Sequence, residues 1–302
     1  MSLLAKLAQK KRLKVDFHNH VQTGSSFKKK RRKSLISILL GEGFNNLTEV
    51  ADRLIKSKTD IIYITNFLDS RYEDWTSQEQ LELLRKAGYN VEVGDYYVFF
   101  EKDGIVKGLG KSQEVPTKQG HLLFAGLKRK KRFKHGKSLE ETVAQVKDNE
   151  LKIAEHPGFK IKGQNGIMAY SKNPKEDAEK IDVFERNANL FPFSFPFSLA
   201  NYRAMRYSRK YKKPLIVGSD GHHPKDIGKT YNIFKSKDLD YSSQKALRDS
   251  INYAAIKGNF YTRFSPIPPW RVFHHAFMIG VYKVMRKLHI ISKETFERYA
   301  AE

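Results

Sequence analysis

The chain has 302 residues, of which 56 are lysine or arginine and 33 are aspartate or glutamate, so its formal net charge is +23. A content of 40% hydrophobic residues suffices for a folded core and excludes a wholly disordered chain. The absence of cysteine excludes a disulfide framework, a cysteine zinc finger, an iron–sulfur cluster and a cysteine nucleophile. Any bound metal is therefore expected on His, Asp and Glu side chains, and the positive charge predicts an anionic partner.

Short strand-like runs alternate with helical patterns along the chain. Strands are predicted at Leu13–Phe17, Asp60–Thr65, Asn90–Val93, Tyr96–Glu101, Gly120–Leu127, Leu151–Ala154, Ile181–Glu185 and Pro214–Gly218. Helices are predicted at Asn46–Lys58, Thr76–Ala87, Ser138–Asn149, Ser198–Lys212 and Ser242–Lys257. Strands separated by helices indicate an α/β fold with a parallel sheet or barrel. We expect one barrel domain over residues 10–262 and a helical extension over residues 263–302.

Residue types that bind metals recur where the predicted strands end or begin. They are His18 and His20, Glu114, His121, His156, Glu185, and Asp220 with His222. A lone histidine at a strand end is more often structural, but recurrence at several strand ends favours a common site, because the carboxyl ends of barrel strands meet on one face. Two histidines spaced i, i+2 on an extended segment also point to the same side. The mixture of nitrogen and oxygen donors suits zinc, manganese or iron.

The order of these motifs resembles that of the PHP (polymerase and histidinol phosphatase) superfamily. Val-Asp-Phe-His18-Asn-His20 is similar to its first motif, and the segment from Glu114 to His121 to the next. Ile-Ala-Glu-His156-Pro and Gly-Ser-Asp220-Gly-His222 are similar to the later motifs, so that the resemblance spans residues 13 to about 224. It implies a distorted (β/α)7 TIM-like barrel with a two- or three-metal phosphoesterase site at its C-terminal face.

Two segments depart from the family pattern. Thr23-Gly24-Ser25-Ser26 stands where the family has a Ser-Asp-Gly string, and Thr65-Asn66-Phe67 stands where it has Thr-Asp-His. Both missing groups would help to hold a third metal. We therefore expect two divalent ions, which would be Zn, Mn or Fe.

The resemblance also implies a role for each site residue. His18, His20 and Asp220 would hold one ion, His121 and His156 the other, and Glu114 would bridge the two. Asp220 or His222 would carry the proton to the leaving oxygen. Glu185 would either contact a metal or orient a ligand histidine.

Basic residues are concentrated in three segments, Lys28–Lys33, Lys128–Lys137 and Arg206–Lys213. The first two follow segments that supply metal ligands, so Lys28, Lys128 and Lys130 are expected to contact substrate phosphates beside the metals. Arg186, next to Glu185, is a further expected phosphate contact. The third segment precedes a strand and is expected on the opposite face. A solvated basic run is the alternative for each segment.

The segment Pro266–Ile291 has apolar residues at helical spacing with basic residues beside them. We expect it to pack on the barrel or on a second subunit, and an anionic membrane surface is the alternative partner. Its apolar run is shorter than the about 20 residues that a membrane-spanning helix needs. The first residues lack the apolar core of a signal peptide, so a cytoplasmic location is expected.

The leading functional hypothesis is a metal-dependent phosphoric ester hydrolase, which uses metal-activated water on an anionic substrate such as a nucleotide or nucleic acid. The alternative is a non-catalytic protein that binds nucleic acid or an anionic membrane on a decayed barrel. Loss of hydrolysis with retained anion binding after replacement of His18 and His20 would separate the two hypotheses.

Overall fold

The fold is described from a computed structural model. The residues described are 1–20, 47–67, 77–128, 133–134, 136–146, 149–159, 166–168, 171–188, 197–221 and 224–268. The segments Thr23–Ser26 and Lys28–Lys33, together with Lys130, His222 and residues 269–302 of the predicted extension, lie outside this part of the chain. The predicted domain boundaries stay a prediction. None of the described helices has the length and apolar character needed to cross a bilayer.

The described chain contains seven α-helices and eleven strands. The helices are α1 Leu3–Ala8, α2 Leu47–Ile55, α3 Gln78–Lys86, α4 Leu139–Val143, α5 Pro174–Glu179, α6 Phe197–Tyr211 and α7 Gln244–Lys257. The strands are β1 Arg12–Asn19, β2 Ile61–Phe67, β3 Asn90–Val93, β4 Tyr97–Lys102, β5 Ile105–Thr117, β6 Gly120–Ala125, β7 Leu151–Ala154, β8 Val183–Asn187, β9 Leu215–Gly218, β10 Tyr231–Lys235 and β11 Tyr261–Arg263.

The strands form one sheet that curls into a barrel, so the predicted fold class is confirmed. Their order is β11-β10-β1-β2-β5-β6-β7-β8-β9, and β3 and β4 branch from β5. The pairs β1–β2, β2–β5, β7–β8 and β8–β9 are parallel. The strand β6 departs from the parallel arrangement, because a short turn connects it to β5 and makes this pair antiparallel, and β6 is also antiparallel to β7.

The strand β5 was not predicted, although it lies at the centre of the sheet. Its glycines indicate a turn when only the sequence is considered, but Gly108 and Gly110 face large rings inside the barrel. A Cβ at Gly108 would lie 2.8 Å from the Phe99 ring, and one at Gly110 would lie 2.7 Å from the Tyr63 ring. These glycines therefore make room for the aromatic filling of the barrel, in which Phe17 stacks on Tyr63 at 5.2 Å.

The barrel closes between its first and last parallel strands. At the metal-ligand end, the N–H of Asp220 donates to the carbonyl of His18 at 2.9 Å, and Asn19 forms a parallel bridge with Gly221. At the other end, the side chain of Asn232 on β10 accepts from the N–H of Val217 at 3.0 Å and donates to the Val217 carbonyl at 2.8 Å. The buried Asn232 amide thereby provides hydrogen-bond partners for the backbone N–H and carbonyl groups at this edge of β9, where no neighbouring strand among the described residues provides them.

Two further elements differ from their sequence prediction. Helix α1 was not predicted, and its leucines Leu3, Leu4 and Leu7 are buried in the same core as Phe17 and Phe234. The helix predicted to begin at Ser138 does so with a capping box to Glu141, but it ends at Val143 instead of continuing to residue 149.

Candidate metal centre

Buried histidine and carboxylate side chains converge where β1, β7 and β9 end and β6 begins. They form two groups, and in each group one ligand atom per residue lies within 4.8 Å of the others. The first group contains His18, His20 and Asp220, and the second contains Glu114, His121, Glu155 and His156. The barrel thus brings together residues from or directly after five strands, β1, β5, β6, β7 and β9, which is how catalytic groups are assembled in barrels of this kind.

The first group has the dimensions of a metal site. Nε2 of His18 lies 3.0 Å from Nε2 of His20, and Oδ1 of Asp220 lies 3.5 Å and 3.1 Å from these two nitrogens. An ion held at about 2.1 Å by several ligands places neighbouring ligand atoms about 3.0–3.4 Å apart. The three atoms therefore fit one common ion.

The second group is built around Glu155. Its Oε1 lies 3.3 Å from Nδ1 of His121 and 3.2 Å from Nε2 of His156. Oε1 of Glu114 also contacts Nδ1 of His121. These separations again suit ligands of a single ion.

Two carboxylates connect the groups. Oε2 of Glu114 lies 3.5 Å from Nε2 of His20, while Oε2 of Glu155 lies 3.7 Å from Nε2 of His18. Each of these carboxylates thus points one oxygen toward each group. This arrangement is the one expected of bridging ligands between two ions held close together.

Glu155 was missed by the sequence prediction, which selected only the histidine of the Ala-Glu-His-Pro string. Neighbouring residues of an extended strand point to opposite faces, so Glu155 and His156 were not both expected in the site. The strand ends at Ala154, however, and His156 adopts a positive φ of 23°, so the alternation of a regular strand does not hold here and both side chains reach the site. Asp220 has a φ of 45°, so both non-glycine residues with this backbone conformation at the site carry candidate ligands.

Buried polar residues beneath the ligands fix their orientation. Oε1 of Glu185 lies 2.9 Å from Nδ1 of His18, which leaves Nε2 of that ring facing the site. The amide of Asn187 donates to Oδ2 of Asp220 at 2.9 Å, which leaves Oδ1 facing the histidines. A side chain at Gly218 would overlap Glu185, so glycine is needed there. The contacts of Glu185 with His18 and of Asn187 with Asp220 are those expected of residues that orient a ligand.

The electrostatics of the site favour a bound cation. Burial disfavours a charged imidazole, but the carboxylates of Glu185 and Asp220 hold the pKa of His18 well above its usual value. Burial is likewise outweighed at His121, where Glu114 and Glu155 raise the pKa to about 10. The buried carboxylates thus require positive charge, which protons supply when no metal is bound and which a divalent ion would supply in their place.

The donor set also passes a test of fit to a metal. Both carboxylate oxygens of Glu155 are buried and make no well-aligned hydrogen bond among the described residues, and imidazole nitrogens lie 3.2–3.7 Å from them. Unsatisfied buried carboxylate oxygens are costly, and coordination of a cation would satisfy them. With histidine nitrogens and carboxylate oxygens together, the chemistry is that of a transition-metal or zinc site.

Two predicted phosphate contacts do not lie at the site. Lys128 follows the end of β6 opposite His121, because β6 is antiparallel and begins, rather than ends, at the metal-ligand end. Arg186 alternates with Glu185 on β8 and points away from the ligands, where its guanidinium lies 3.8 Å from the centroid of the Phe264 ring. His222, Lys28 and Lys130, which were predicted alongside them, lie outside the described residues.

Comparison with known proteins gives one family match and several similar folds. Residues 198–254, which include α6 and Asp220, match the family described as PHP-associated. A comparison with curated proteins finds no match.

Two solved structures share the fold at low sequence identity. The crystal structure of PsfC from Pseudomonas syringae PB-5123 has a TM-score of 0.53 and 14% identity over 90% of this chain and 100% of its own. A two-domain protein from Bacteroides vulgatus, which contains a predicted PHP-like metal-dependent phosphoesterase, has a TM-score of 0.52 and 14% identity. That match covers 84% of this chain and 65% of the Bacteroides protein. The family match over residues 198–254 and the shared barrel fold agree with the resemblance to the PHP superfamily seen in the sequence.

Proposed function

We propose that this protein is a metal-dependent phosphoesterase that hydrolyses a phosphate ester with water activated by two divalent ions. The observation that supports it best is the pair of buried ligand groups connected by two carboxylates, Glu114 and Glu155. The similar Bacteroides protein contains a predicted PHP-like metal-dependent phosphoesterase, which supports the same reaction class.

Each group would hold one ion, and Zn, Mn or Fe suits the donors. His18, His20 and Asp220 would hold the first ion, and His121 and His156 the second. When bound, the ions would lower the pKa of a water molecule and polarise the phosphoryl oxygens of the ester. The chain itself positions the ligands through the buried contacts of Glu185 and Asn187.

Protonation of the leaving oxygen is assigned to Asp220 or His222. Asp220 is 8% exposed, and it keeps Oδ1 directed at the site while Asn187 holds Oδ2. In this role Asp220 would act as a proton carrier only when Oδ1 is not bound to the ion, and His222 would take the role otherwise. The substrate is proposed to be rich in phosphate, such as a nucleotide or nucleic acid, because the net charge is +23.

The alternative of a purely binding protein is less favoured by the structure. A surface that only binds anions does not require the buried cluster of carboxylates and histidines that this barrel contains. Burying several carboxylates together costs free energy, and a protein that only binds anions at its surface does not need such a cluster. A metal-dependent reaction accounts for the cluster directly.

The test is hydrolysis of a panel of phosphate esters, including p-nitrophenyl phosphate, bis-p-nitrophenyl phosphate and an oligonucleotide, with Mn, Zn or Fe. We expect the wild-type protein to hydrolyse at least one ester and the double variant His18→Ala, His20→Ala to be inactive. Glu140→Gln is the control, because its side chain is 78% exposed on α4, outside the site. If no ester is hydrolysed by the wild-type protein with any of these metals, the proposal is wrong.

A further inference from the structure

The outer face of α6 carries a row of cations without any acidic residue. Tyr202, Arg206, Arg209 and Lys210 are exposed, and their spacing of i, i+4, i+7 and i+8 places them on one side of the helix. Residues 197–213 contain no aspartate or glutamate. This face is called the α6 ridge below.

The orientation of the α6 ridge is determined by packing on the opposite face of the helix. Ala200 and Ala204 are buried, and Tyr207 lies 6.1 Å from the ring of Phe184 on β8. Arg206 and Arg209 take part in none of the ion pairs found among the described residues. The apolar side of the helix is thus already covered by the barrel, and Arg206 and Arg209 are exposed without an acidic partner in the described part of the chain.

The first turns of α6 are connected to the metal centre by buried hydrogen bonds. The side chain of Asn201 accepts from the N–H of Asn187 at 2.9 Å and donates to the Asn187 carbonyl at 2.8 Å. Arg203 donates to the carbonyl of Gly158 at 2.9 Å, two residues beyond His156. The ridge therefore begins beside the candidate metal centre and runs along the outside of the barrel.

We propose that the α6 ridge binds the phosphate backbone of a single-stranded nucleic acid whose end enters the metal centre. This proposal rests on the proposed phosphoesterase function and names the substrate class of the same site. From Tyr202 to Lys210 the helix rises about 12 Å. The ridge is therefore long enough to contact more than one phosphate of the same strand.

Several features favour a single strand over a membrane or a duplex. An interfacial helix needs an apolar face for lipid, whereas the apolar face of α6 is buried, and Tyr202 is the one large hydrophobic residue exposed among its described side chains. That ring lies 6.0 Å from the guanidinium of Arg206, a pairing suited to stacking of an unpaired base. The ligand His18 is fully buried, so a flexible strand end can approach the site more readily than a rigid duplex.

The test measures binding of a fluorescein-labelled 12-nucleotide oligothymidylate at several salt concentrations, without added divalent metal. The variant Arg206→Gln, Arg209→Gln, Lys210→Gln is compared with Arg53→Gln, Lys56→Gln, Arg85→Gln, which removes the same charge from exposed positions on or beside α2 and α3. We expect the α6 variant to bind at least about tenfold more weakly and its slope of log affinity against log salt to fall by about 2. The control is expected to retain the wild-type affinity and slope. Tyr202→Ala should weaken binding by about fivefold or more without changing the slope.

Equal losses in the α6 variant and the control would show a general effect of charge and overturn the proposal. Unchanged oligothymidylate binding, combined with lost binding to vesicles of phosphatidylserine and phosphatidylcholine, would identify the ridge as a membrane surface and also overturn it. Hydrolysis of bis-p-nitrophenyl phosphate by the wild-type protein tests the phosphoesterase function separately, because this ester is too small to reach from the metal centre along α6. If the wild-type protein is inactive but still binds oligothymidylate through α6, the α6 ridge is a binding surface for single-stranded nucleic acid and the proposed phosphoesterase reaction is refuted.

Discussion

Replacing Glu155 with glutamine removes a charge that lies between the two ligand groups while keeping the shape of the side chain. The carboxylate of Glu155 is fully buried and within 3.2–3.7 Å of imidazole nitrogens of His121, His156 and His18. Loss of a residue that only orients a ligand typically lowers metal affinity 10–100-fold, so loss of a direct bridging ligand should cost about 100-fold or more. This factor corresponds to about 2.7 kcal/mol of binding free energy.

The assay is a calorimetric titration with Mn, accompanied by elemental analysis after dialysis at limiting metal. Glu155→Gln should retain about one ion where the wild-type protein retains about two. Glu185→Gln is the matched comparison, because Glu185 contacts Nδ1 of His18 rather than a metal position, and it should weaken binding without changing the number of ions. Wild-type stoichiometry and affinity in Glu155→Gln would refute the bridging role.

Three further predictions concern stability. Asn232→Ala removes three hydrogen bonds to the backbone of Val15 and Val217 and should lower the free energy of unfolding by about 3 kcal/mol in urea titrations. A loss below about 1 kcal/mol would contradict the role of Asn232 in closing the barrel. Burial lowers the pKa of Lys107 to about 8, so the unfolded chain keeps this proton to higher pH than the folded protein does. The free energy of unfolding of the wild-type protein, measured relative to that of Lys107→Met, should therefore rise by about 3 kcal/mol between pH 8 and 10.5. A difference that does not change with pH would contradict the burial argument. Free Mn at about 100 times its dissociation constant should raise the melting temperature by about 5 °C, and chelation should reverse this shift; an unchanged melting temperature would argue against metal binding to the folded protein.

The ligand set shows what the sequence could predict and where it stopped. Histidines such as His18 and His20 were recognisable because they follow an alternating apolar strand, and strand ends converge in any barrel. Glu155 could not be found in this way, since the alternation of side chains along β7 is interrupted after Ala154 and His156 has a positive φ, both of which are features of the folded backbone. Asn187 has no chemistry that distinguishes it from an ordinary polar residue until its hydrogen bond to Asp220 is seen.

Strand direction accounts for the misplaced phosphate contact at Lys128. The segment between Glu114 and His121 is too short for the crossover that connects parallel strands. The antiparallel direction of β6 could therefore have been predicted from the length of this connection. The prediction applied the rule for parallel strands to every strand and thereby put Lys128 at the wrong end of the barrel. The omission of β5 has another cause, because Gly108 and Gly110 are selected by contacts with Phe99 and Tyr63 across the sheet and not by local turn formation.

Diffraction from crystals grown with Mn, recorded at the absorption edge of that metal, tests the central claim most directly. We predict two anomalous peaks, one among His18, His20 and Asp220 and one between His121 and His156, with Glu114 and Glu155 reaching both. Each peak should lie about 2.0–2.3 Å from its nitrogen and oxygen ligands. Absence of any peak at these side chains in a metal-soaked crystal would contradict a metal centre in this barrel.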